Sequence, residues 1–168
     1  MAMVGLFWIT DDSVYVGSPP DAEGHCVRIT SEGVQAQGPD RARAWPWSIL
    51  RSAGLESVPV EGDARGGGGR FLAAVLEAVV TLGSGYGGAE PPQMFLVLET
   101  ADGTEEVQVP AATEGYTSRE ITLSQHLLAR FREGTADPRT LTAWSRDHGG
   151  GTPAPSEREA LLRQWTHA

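Results

Sequence analysis

Lysine is missing from the 168 residues altogether, and Cys26 is the single cysteine. A phosphate-binding loop of the Gly-x-x-x-x-Gly-Lys-Ser/Thr type needs that lysine, so the run Gly66 to Gly69 is not one. One cysteine excludes an internal disulfide framework and a cysteine zinc cluster, and it agrees with a reducing compartment, so a cytoplasmic location is expected. Positive charge is scarce: 13 arginines face 22 Asp and Glu, a formal net charge of -9. Nucleic acids and anionic bilayers recruit basic surfaces, so no nucleic-acid partner is expected and membrane attachment is disfavoured. Long apolar runs are absent too. The best candidate, Phe71 to Leu82, falls short of the ~20 residues that span a bilayer and contains Glu77. Met1 to Ile9 lacks a basic lead-in and a small-residue cleavage site and is stopped by Asp11 and Asp12, so it reads as a strand.

What is present from Gly5 to Val60 is a series of short β segments. Val4 to Ile9 and Ser13 to Gly17 flank Thr10-Asp11-Asp12, while Cys26 to Thr30 and Gly33 to Gln37 flank Ser31-Glu32, as two hairpins would. Val14 and Val16 oppose Tyr15, and Val27 and Ile29 oppose Arg28, the alternation of half-buried strands. Pro46 excludes a central strand in Trp45-Pro46-Trp47-Ser48-Ile49-Leu50, so Trp47 to Leu50 reads as a tight turn feeding a strand over Arg51 to Val60. Met94 to Glu99 and Thr104 to Val109 flank Ala101-Asp102-Gly103, the clearest hairpin of the chain.

Helical signals interrupt and follow these strands. Between glycine-rich loops, Phe71, Leu72, Val75, Leu76, Val79 and Leu82 share one arc of a helix predicted over about 70–82. That arc has three uses: closing an open end of a barrel, pairing with its counterpart in a homodimer, or receiving another protein. A longer helix starts at Thr117, with Glu120 completing a capping box, and Gly134 ends it. Ile121, Leu123, Leu127, Leu128 and Phe131 lie toward its apolar side and His126 toward solvent. Two further helices are marked by Asp137-Pro138 and by Ser156 with Glu159. Trp144, Leu161, Leu162 and Trp165 give this tail apolar surface for the domain or for a partner.

No constellation carries catalysis. His25, His126, His148 and His167 lack metal-ligand spacing, so neither a metal nor another cofactor is expected. His25 and Cys26 are neighbours on a strand and point to opposite faces, which bars a catalytic pair and leaves Cys26 as a small apolar residue. Gly83-Ser84-Gly85 misses the nucleophile-elbow spacing. Asp11-Asp12 and Glu105-Glu106 read as solvated turn residues at hairpin positions, with acid-base work or the binding of a divalent cation as the rivals. Trp45 and Trp47 read as core before they read as a recognition patch.

Two hairpins, the Pro46-Trp47-Ser48-Ile49-Leu50 strand entrance, a late Asp-Gly hairpin and one amphipathic helix follow the order of a pleckstrin-homology-like domain. From Val4 to Arg132 the chain resembles bacterial members of that superfold, in which a Pro-Trp-Ser/Thr-x-Ile/Leu stretch often introduces a strand. The resemblance implies an α+β fold, mainly β: a seven-stranded antiparallel barrel or sandwich over residues 1–133, capped by a helix and carrying the inserted helix. Residues 134–168 form a helical C-terminal extension. Lipid-binding members hold head groups with basic residues at the first hairpin, where this chain has Asp11 and Asp12. The expected function is therefore a non-catalytic binding or scaffold module for a protein or peptide. Its candidate partner-binding residues are Phe71, Leu72, Val75, Leu76, Val79, Leu82, Trp144 and Trp165. The alternatives are a small acidic-site hydrolase and peripheral membrane attachment through the inserted helix, whose polar side offers only Arg70, with Arg65 just upstream.

Overall fold

The computed structural model describes residues 1–40, 42–62 and 90–167, and these residues form an α+β fold of two antiparallel sheets and three α-helices. The larger sheet is a meander of β1 (Ala2–Val4), β2 (Phe7–Ile9), β3 (Val14–Val16), β4 (Cys26–Ile29), β5 (Gly33–Gln37) and β6 (Arg43–Pro46), each paired with the next. A 3-10 turn at Trp47–Ile49 leads into the smaller sheet of β7 (Leu50–Glu56), β8 (Gln93–Thr100) and β9 (Gly103–Pro110). The helices follow as α1 (Ser118–Glu133), α2 (Arg139–His148) and α3 (Pro155–His167). The predicted helix over about 70–82, and with it Phe71, Leu72, Val75, Leu76, Val79 and Leu82, lies outside the described residues.

Among the described residues nine strands replace the seven expected, and no strand pairing joins the two sheets, so they do not close into a barrel. The sequence reading merged β1 and β2 into one strand. Gly5 breaks that run with φ of 57°. A Cβ there would press on Ser124 Oγ and come within 2.7 Å of Leu162 Cδ1, so the turn is pinned beneath α1 and α3. The other addition is β6, where Pro46 is accommodated because the strand is four residues long and lies on an edge. The predicted strand over Arg51 to Val60 is shorter, ending at Glu56, while Val60 makes an isolated parallel bridge with Tyr116.

Alternation explains the core. Val14, Val16, Val27, Ile29, Val34, Met94, Leu96 and Leu98 are all buried, and they join one cluster with Leu127, Leu128 and Phe131 of α1. Phe131 meets Phe7 edge to face with centroids 6.0 Å apart. His126 is exposed, as its place on the helix predicts. Thr117 forms the expected capping box: its hydroxyl accepts from the Glu120 N–H and Glu120 Oε2 accepts from the Thr117 N–H, both at 3.1 Å.

The tail docks onto this core. Leu141 of α2 and Leu162 and Trp165 of α3 belong to the same buried cluster. Arg130 donates to the carbonyls of Thr166 and Trp165, tying the end of α3 to α1. Ser145 and Arg146 hold the Asp11 side chain and carbonyl, each at 2.9 Å, so α2 fastens the first hairpin turn. Asp137 caps α2 by accepting from the Arg139 N–H at 2.9 Å. The expected second capping box is different in form. α3 begins at Pro155, one residue before Ser156, and Glu159 instead accepts from the Thr117 hydroxyl at 3.0 Å.

Tyr116 links the sheets to α1 and gives the fold an alkaline limit. It is fully buried, its hydroxyl accepts from the Ala112 N–H at 3.0 Å, and burial pushes its pKa from 10 up to about 12. Folding favours the neutral phenol, so this contribution is whole below pH 10, shrinks as pH rises and is lost above about pH 12. It is worth about 3 kcal/mol. In denaturant titrations from pH 8 to 12, Tyr116→Phe is expected to flatten this decline while costing about 1 kcal/mol at neutral pH for the lost hydrogen bond. An unchanged alkaline slope would contradict the assignment.

Candidate functional site: the open edge of β9

A sheet edge exposes backbone donors and acceptors that another strand can take up, and proteins blunt most such edges. Three of the four edges here are blunted. At β1 the Met3 N–H donates to Thr152 Oγ1 at 3.0 Å. β6 is short and ends on Pro46, which has no N–H. Along β7, Gln125 of α1 imitates a strand: its Oε1 accepts from the Leu55 N–H at 3.0 Å and its Nε2 donates to the Leu55 carbonyl at 2.5 Å.

The fourth edge, β9, is open over most of its length among the described residues. Successive backbone groups in an antiparallel strand alternate between its two sides. The Pro110 carbonyl points away from β8, because it accepts from the Ser18 N–H at 2.9 Å, whereas the next residue, Ala111, donates back to Pro92 at 2.8 Å. By that alternation Gln108, Glu106 and Thr104 also turn their N–H and C=O groups outward. All three residues are exposed, and no described residue hydrogen-bonds those groups. Among the described residues, Ser18 covers one end of the edge and the rest has no partner.

The side chains beside the edge divide by face. Register places Glu106 beside Val97, Gln108 beside Phe95 and Thr104 beside Glu99. Glu106 and Glu99 are exposed acids on the outer face, and Phe95 and Val97 there are only partly covered. On the inner face, Glu105 is held by Arg43 of β6 at 2.6 Å. A crevice of about 70 Å³ opens where β9 passes the ends of β3, β4 and β5; its apolar wall includes Val16, Val27, Ala36, Val107 and Val109. Cys26 also reaches this crevice, where burial pushes its thiol pKa up, the direction opposite to an activated nucleophile.

The other sequence-singled residues are dispersed. Trp165 is 5% exposed and meets Trp144 edge to face at 5.6 Å, while Trp144 also stacks on His148 at 4.5 Å. Both tryptophans pack α2 against α3, so a partner reaches Trp165 only if the tail moves. Trp45 is buried and Trp47 half-buried, its Nε1 donating to the Thr30 carbonyl at 3.0 Å. Asp11 serves Ser145 and Arg146, and Asp12 accepts from the Thr10 hydroxyl at 2.8 Å, the main cause of its lowered pKa. His25 pairs with Asp21 at 3.0 Å on an exposed loop. Among the described residues no group of three or more His, Cys, Asp or Glu is placed to hold a metal ion, and no helix is long and apolar enough to cross a membrane.

Sequence reading missed the open edge. The alternation of Thr104 to Val109 marks β9 as a strand, yet whether it is central or terminal depends on which other strands pair, and those lie far away in sequence. The available hint was the adjacent pair Glu105-Glu106, since charged residues commonly occupy strand edges. Comparison with protein-family models, curated proteins and solved structures finds no match to this chain.

Proposed function

We propose that the protein is a non-catalytic recognition module that takes up an extended segment of a partner protein along β9. The observation carrying this reading is the run of outward backbone groups at Thr104, Glu106 and Gln108 in a molecule whose other edges are blunted. Adding a strand would satisfy the outward groups of all three residues. The acids at this edge face a different demand from those of an active site. Glu105 is committed to Arg43, while Glu106 lies on the opposite face, so the two carboxylates do not converge. The succession of antiparallel strands and one amphipathic helix supports kinship with pleckstrin-homology-like scaffolds. The nine strands are a departure from the seven of that pattern. The lone half-buried Cys26 fits a reducing compartment such as the cytoplasm.

Gln108→Pro tests the reading without changing charge. Proline removes one outward N–H, breaks no internal hydrogen bond and is tolerated on a sheet edge. Peptides selected on the protein from a random displayed library are expected to lose about tenfold or more in affinity for this variant, the cost of one unmade hydrogen bond plus local steric conflict. Selected peptides that bind the variant equally well, or a library that yields none, would contradict strand addition at β9.

A further inference from the structure

From the charge and shape around the open edge we infer that the segment it accepts alternates basic residues with small aliphatic ones. This deepens the strand-addition reading and rests on it. A strand paired with β9 places its side chains alternately over the outer and inner faces. On the outer face its central residue sits across from Glu106, Glu99 lies diagonally beyond, beside Thr104, and neither carboxylate has an arginine partner among the described residues. Among the described residues Glu99 accepts from the Ser52 hydroxyl alone, at 2.5 Å. Opposite charges across a strand pair attract, so an arginine or lysine fits there and an acid is repelled.

The inner face asks for something else. The next residue of the added strand lies over Val107, at the mouth of the crevice bounded by Val16, Val27, Ala36 and Val109. Its volume of about 70 Å³ is about half the ~150 Å³ of an apolar cavity that holds benzene, so it suits a small aliphatic side chain better than an aromatic one. The same features argue against a second copy of β9 as the occupant. Antiparallel self-pairing centred on Glu106 would set two identical carboxylates face to face, a destabilising arrangement. The net charge of -9 adds a long-range attraction for a basic segment.

The test uses the full chain and synthetic peptides of four arginine–valine repeats, titrated by fluorescence anisotropy at moderate salt. Comparison peptides carry glutamate or threonine for arginine, phenylalanine for valine, or the parent sequence with alternate backbone nitrogens methylated. The arginine–valine peptide is expected to bind about tenfold or more tighter than each of these, and Glu106→Arg to shift preference toward the glutamate peptide by a similar factor. Glu106 is exposed and its side chain has no partner among the described residues, so the variant should fold normally, which a thermal melt checks. If the threonine or glutamate peptide binds equally well and N-methylation still abolishes binding, the basic class is wrong and strand addition stands. If the phenylalanine peptide binds as well as the valine one, the small-side-chain requirement is wrong. If the methylated peptide binds like its parent, only net charge is at work and both readings fall. If no peptide binds, both readings fall as well.

Discussion

Arg158→Met is expected to lower unfolding free energy by about 3–5 kcal/mol, read from urea or guanidinium titration, because it strands a buried carboxylate. Glu120 is fully buried at the start of α1, and Arg158 of α3 clamps both its oxygens, Nε to Oε1 at 2.5 Å and Nη2 to Oε2 at 3.3 Å. Arg158 also donates to the Pro153 carbonyl at 3.1 Å. Removing the guanidinium leaves Glu120 without a counter-charge while its capping bond to the Thr117 N–H still holds it inside. Adding Glu120→Gln to Arg158→Met should restore most of the loss, since a neutral amide keeps an oxygen for the cap and carries no buried charge. A single variant as stable as the parent would mean that α3 does not lie on α1. A double variant no better than the single would assign the loss to packing of the arginine stem.

Gly17→Ala is expected to cost about 2–5 kcal/mol, combining the left-handed backbone penalty with overpacking. Gly17 has φ of 71°. A Cβ there would collide with the Pro110 carbonyl oxygen and stand 2.8 Å from Val109 Cγ1. The obstacle is backbone, which cannot swing aside as a flexible side chain can. This joint is where β3 touches the end of β9, through the Ser18 N–H to Pro110 and the Ser18 hydroxyl to Ala111 at 2.9 Å. The substitution therefore strikes the backbone joint between the larger sheet and the edge strand, which Arg43 of β6 also holds through Glu105. In a thermal melt it should lower the midpoint by several degrees, whereas the nearby edge substitution Gln108→Pro should lower it much less. Equal and small losses would contradict the close approach at Gly17.

Local signals carried far in this chain and tertiary ones did not. Val14, Val16, Val27 and Ile29 announce their strands by alternation, and Thr117 with Glu120 announces a helix start, because each signal lies within a few residues. Gly5 was legible only as an apolar-run residue, since the turn it makes is set by Ser124 and Leu162, over a hundred residues away. Glu159 reads locally as the far end of a capping box, but Thr117 lies closer in space. Trp165 reads as available surface until α1 and α2 are placed around it. The β9 edge is the extreme case: a strand's sequence describes its two faces, while its open side is defined by strands that are not there.

Residue-resolved hydrogen exchange on the isolated protein measures that open side most directly. The amides of Thr104, Glu106 and Gln108 should exchange close to the rate of unstructured chain, while Glu105, Val107 and Val109, facing β8, and Leu55, held by Gln125, exchange far more slowly. Strong protection at all of the β9 amides would mean that the edge is already occupied, and a free site for a partner strand would not exist.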